Sequence, residues 1–87
     1  MNNPIITDLE KVLRQTRGTA TKLQNLAATY RAASRALNVS QVMKDYYATT
    51  AEDYASQLTM LCQMIVRLEQ LIIEIQASGE ADTNDRE

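Results

Sequence analysis

Between Tyr47 and Ile75 a small or apolar side chain returns at steps of four and three residues without a skip: Tyr47, Ala51, Tyr54, Leu58, Leu61, Ile65, Leu68, Ile72 and Ile75. A strand repeats every two residues, so this period is that of a helix. The first half carries a matching stripe of Leu9, Leu13, Thr16, Ala20, Leu23, Ala27, Tyr30, Ser34 and Leu37, widened by Ile5, Val12 and Leu26. Two such helices within 87 residues make one small all-α domain.

The punctuation sets their limits. Asn3-Pro4 and Thr7-Asp8-Leu9-Glu10 both read as helix starts, the first through proline at the opening helical position and the second as a capping box. Gly18 is a weak point in the Thr-rich segment Thr16 to Thr21. On a wheel it falls opposite Leu9, so a locally soft helix is expected rather than a break into three helices. Asn38-Val39-Ser40 is the turn: Asn tolerates the left-handed conformation that ends a helix, and Ser caps the next one. Ala77-Ser78-Gly79 offers the second C-cap. The expectation is a single hairpin over 1–79, with helix 1 at about 4–37, a turn at 38–40 and helix 2 at about 41–77. So short a turn makes the helices antiparallel and coiled-coil-like. The polar, acidic stretch 80–87 is expected to be disordered.

Composition narrows the chemistry. The chain has no His, no Trp, no Phe and one Cys. A His-containing zinc site, a disulfide framework and a His-based catalytic dyad or triad are therefore excluded. Neither enzymatic activity nor a metal or cofactor is expected. The residues Met1 to Leu13 lack a basic start followed by an apolar run, so no secretion signal is expected. No stretch of about 18 residues is free of charge, so no membrane insertion is expected. A single unpaired thiol suits a reducing compartment, and a cytoplasmic location is expected.

Charge is divided unevenly. Residues 1–44 hold seven basic side chains against two acidic ones, and residues 45–87 hold two basic against nine acidic. Two helices of opposite sign lying side by side account for this better than a nucleic-acid surface, because phosphate binding wants clustered basic charge without an acidic element alongside. A nucleic-acid-binding hairpin using Arg14, Arg17, Arg31 and Arg35 is the weakest of three functional readings.

The informative segment is Leu58 to Ile75, where 12 of 18 residues are apolar. At 100° per residue they fill an arc of about 240°, whereas an amphipathic helix facing one partner needs an apolar stripe of about 100°. Leu61, Ile65, Leu68, Ile72 and Ile75 form the middle and, with Leu9, Leu13, Leu23, Tyr30, Leu37 and Tyr54, are the expected core within the hairpin. The two flanks, Met60, Met64 and Leu71 on one side and Leu58, Cys62, Val66 and Ile73 on the other, are the expected partner interface. Glu69 lies among the second flank, with Lys11 as its expected partner across the hairpin. Tyr30, Tyr46, Tyr47 and Tyr54 are expected to close the turn end, and Glu52, Asp53 and Glu74 to be solvated. A two-helix hairpin has little interior of its own, so the surplus predicts a protein partner, or a homodimer of hairpins when the chain is alone.

This layout resembles a known group, the small helical-hairpin co-chaperones of type III secretion needle subunits (the YscE/EscE-like family). The similarity spans roughly residues 5–75. It rests on the opening Thr7-Asp8-Leu9-Glu10 with Leu13 and Arg17, the length, the short central turn and the apolar second helix. The chain departs from the group in its acidic tail and in how apolar helix 2 is. The resemblance implies a cytoplasmic bacterial protein that pairs with a tetratricopeptide (TPR)-like chaperone, the pair keeping a needle subunit soluble and monomeric until export.

Overall fold

The computed structural model describes residues 3–86, with side-chain surroundings for residues 3–78. It contains α1 (Pro4–Ser34) and α2 (Gln41–Arg86), folded back on each other as an extended hairpin. The principal extents are 71 × 16 × 12 Å. Its radius of gyration is 20.0 Å, where a compact chain of this length would have about 12 Å. The expectations for a cap at Gly79 and for the tail 80–87 lie outside the residues whose surroundings are described.

Of the two candidate starts for α1, Asn3-Pro4 is the one used. Asn3 is extended, its side-chain oxygen accepts from the Ile5 amide at 2.9 Å, and Pro4 opens the helix where its missing N–H costs nothing. Thr7 lies inside the first turn, its amide bonded to the Asn3 carbonyl at 3.1 Å. Helix α1 then runs through Gly18 without interruption, and no glycine among the described residues has positive φ. The neighbouring threonines do not break it either, because each hydroxyl donates to the carbonyl four residues back: Thr16 to Val12, Thr19 to Gln15 and Thr21 to Arg17.

The helix ends at Ser34, three residues earlier than expected. The Ser34 hydroxyl donates to the Arg31 carbonyl, and the amides of Arg35 and Ala36 turn back to Ala32 and Ala33 at 3.1 and 3.2 Å. These bonds span three residues, so the last turn tightens and closes the helix. The connection is therefore 35–40, and Asn38 is not left-handed, since no non-glycine residue described has positive φ. Ser40 caps α2 as expected: its hydroxyl accepts from the Met43 amide at 3.3 Å and its carbonyl from Lys44 at 2.9 Å.

The two apolar stripes face each other. Buried along the seam are Leu13, Ala20, Ala27 and Ala51, three of them small enough for the opposing helix to cover. The remaining seam positions, from Leu9, Leu23 and Tyr30 on α1 to Tyr54, Leu61, Ile65, Leu68, Ile72 and Ile75 on α2, are half-buried. No large side chain described is fully enclosed. Leu37 is corrected: placed in the core by its spacing, it is 94% exposed, because the helix that would have turned it inward has already ended.

Candidate partner interface

One contact fixes the two sides of the hairpin. Arg17 Nη2 lies 3.1 Å from Glu69 Oε2, across one edge of the seam. This corrects the expected Lys11–Glu69 pair. Arg17 stands one residue beyond the seam position Thr16, on the side toward α2, whereas Lys11 falls on the back of α1 by helical periodicity.

Stepping round each helix from that pair sorts the other side chains. On the Arg17–Glu69 side, α2 presents Cys62, Val66 and Ile73, all exposed, beside Arg17, Gln24 and Arg31 of α1. Leu58 belongs to this flank but is half-buried against the seam. On the opposite side, α2 presents exposed Met60 and Met64 and half-buried Leu71. There α1 contributes apolar surface as well: Ile5, Val12 and Leu26 are all exposed.

These three residues, expected to widen the core stripe, face outward instead. Their spacing carried the signal. Ile5, Val12, Thr19 and Leu26 are each seven apart, the mark of a second line running beside the seam rather than of breadth within it. The expected interface therefore divides in two. The methionine side is apolar on both helices, whereas the Cys62 side is apolar on α2 and polar to basic on α1.

The amount of exposed surface is itself informative. The chain exposes 6839 Å², where a compact monomer of its mass would expose about 5,200 Å². The excess follows from the elongated shape, with α2 (46 residues) longer than α1 (31 residues). Met60, at 65% exposure, is among the large apolar side chains left uncovered. A third cluster lies at the turn end, where Leu37, Val42 and Tyr46 are exposed beyond the last turn of α1.

The four tyrosines gather at this end. Tyr30 meets Tyr47 and Tyr54 with ring centroids 5.9 and 5.7 Å apart, and Tyr46 meets Tyr47 edge-on at 5.8 Å. Other features offer little chemistry. A shallow depression on the outside of α2, lined by Arg67, Gln70, Leu71 and Glu74, holds about 50 Å³. Among the described residues no group of three acidic, Cys or His side chains converges, and no helix is long and apolar enough to cross a membrane. No protein-family model, curated protein or solved structure matches this chain.

Proposed function

We propose that this hairpin is a non-enzymatic docking protein, and more specifically a type III secretion co-chaperone. In this role it binds and stabilises a TPR-like chaperone that keeps a needle subunit soluble before export. The observation that carries the docking role is the methionine side, where Val12 and Leu26 of α1 and Met60 and Met64 of α2 are all exposed on one side of the hairpin. Burying several such side chains at about 1.5–3 kcal/mol each offsets the cost of association. The secretion role draws support from the resemblance in layout, and it is physically coherent. A needle subunit is itself a self-assembling helical hairpin, so its chaperone must offer a large apolar groove that needs stabilising until cargo arrives.

The test is co-expression with the proteins encoded beside this chain. A 1:1 complex with a helical-repeat protein is expected, joined by a small hairpin-forming subunit as cargo. Met64→Asp or Leu71→Asp should abolish that complex while leaving the helical content of the free chain unchanged. Wild-type binding by both variants would remove the methionine side from the interface. Absence of any helical-repeat partner would remove the co-chaperone role.

A further inference from the structure

We infer that the Cys62 side is a second docking surface, chemically distinct from the methionine side, whose occupant is a single amphipathic helix of a partner protein with acidic residues beside its apolar stripe. The inference goes beyond the docking role and stands on the other side of the hairpin. It rests on the charges that border that side and on what lies between them.

The Arg17–Glu69 contact sets the level of each neighbour. Seven residues along each antiparallel helix from that pair, Gln24 comes opposite Cys62, and seven further on Arg31 comes opposite Ala55. One position further round both helices, Arg14 comes opposite Ile73 and Thr21 opposite Val66. Between the levels of Arg14 and Arg31, a length of about 25 Å, this side carries Arg14, Arg17 and Arg31 against Glu69 alone. Glu69 is already bonded to Arg17, whereas Arg14 and Arg31 are exposed and have no ion-pair partner among the described residues. The other acids of this side lie beyond the two ends of that length, Glu10 at one and Glu52 and Asp45 at the other. The sequence enforces the pattern, since no acidic residue occurs from Lys11 to Lys44 and none from Tyr54 to Leu68.

The floor between the arginines is apolar or small. Cys62, Val66 and Ile73 are exposed along α2, and Thr21 and Ala28 of α1 are too short to cover them. A helix of about 17 residues spans the distance from Arg14 to Arg31. Its apolar stripe rests on Val66 and Ile73, and its carboxylates meet the arginines along α1. A second copy of this chain does not suit the face, because the same positive excess would then confront itself. Nucleic acid is the poorer match: the floor is apolar, Glu69 stands within it, and the four tyrosines that could stack on bases gather at the turn end.

Cys62 is the single thiol of the chain and lies on this floor, so its rate of alkylation reports occupancy directly. The probes are two helical peptides of about 18 residues with the same leucine stripe, one flanked by Glu and the other by Lys, added to the full-length chain. The Glu peptide should slow alkylation of Cys62 several-fold, less so as salt is added, and the Lys peptide should not. A chain carrying Arg14→Glu and Arg31→Glu should bind the Glu peptide about tenfold more weakly or worse and should admit the Lys peptide. Met64→Asp, on the opposite side, should leave the protection unchanged. Equal protection by both peptides, protection by neither, indifference to the charge reversal, or stronger protection by a DNA or RNA oligonucleotide than by the Glu peptide would each overturn the inference. The docking role fails separately: a chain that captures its chaperone while the Glu peptide leaves Cys62 open sinks only this inference, and a chain protected by the peptide that captures no chaperone sinks only the docking role.

Discussion

Arg17 and Glu69, 52 positions apart in sequence, meet at 3.1 Å across the outer edge of the hairpin, the one ion pair among the described residues. Their side chains are 56% and 46% exposed, so solvent screens most of the attraction. Arg17→Ala and Glu69→Ala should each lower stability by less than about 1 kcal/mol, with a double-mutant coupling of about 0.2–1 kcal/mol that shrinks as salt is added. Urea titrations of the two single variants and the double variant at low and high ionic strength measure it. A coupling several times larger, or one indifferent to salt, would show that the pair is buried in a larger assembly.

Gly18 lies mid-helix with negative φ, exposed, and a Cβ built on it meets nothing within 4 Å. The position therefore carries the entropic cost of glycine without needing its freedom. Gly18→Ala should stabilise the chain by about 0.5–1 kcal/mol, through helix propensity and a less flexible unfolded chain. A rise in melting temperature at fixed protein concentration is the readout. Destabilisation would mean that a partner chain approaches the backbone at Gly18, as a second copy or a docked chaperone could.

Most of this architecture was legible because the seam repeats so regularly. The two stripes from Leu9 to Ser34 and from Tyr47 to Ile75 are the facing surfaces of the hairpin. What the stripes could not locate was where periodicity stops being helix. Leu37 continues the spacing of its stripe, yet Ser34 and the tightened bonds of Arg35 and Ala36 end α1 first. Spacing also says which residues share a line but not what covers that line. Val12 and Leu26 therefore looked like extra core, when the opposing helix is too narrow to reach them. The pairing of Glu69 with Arg17 rather than Lys11 was within reach of the spacing, since Lys11 falls on the face of α1 away from Leu9, Leu13 and Thr16, whereas Arg17 adjoins Thr16.

The tyrosine cluster gives a graded prediction at the turn end. Tyr30 is half-buried and pairs with the rings of both Tyr47 and Tyr54, whereas Tyr46 is exposed and, among the tyrosine rings, pairs with Tyr47 alone. Each aromatic pair contributes about 0.5–1.5 kcal/mol beyond the area it buries. Tyr30→Ala should therefore destabilise by about 2–3 kcal/mol and Tyr46→Ala by less than about 1 kcal/mol. Denaturant midpoints separate the two. Equal losses would mean that Tyr46 has a further partner in solution.

Two leucines that share a stripe in sequence should behave differently. Leu13 is 8% exposed beneath α2, and truncating it removes apolar contacts from the seam. Leu13→Ala should cost about 2–3 kcal/mol, the lower part of the range for buried leucines, because a hairpin can close partly over the gap. Leu37 stands clear of both helices, so Leu37→Ala should change stability by less than about 0.5 kcal/mol. Because self-association would add to apparent stability, both variants are compared with wild type at one concentration and again after tenfold dilution. A large loss for Leu37→Ala that fades on dilution would place the turn end inside an intermolecular contact. A large loss that persists would mean that α1 extends beyond Ser34 in solution and carries Leu37 back onto the seam.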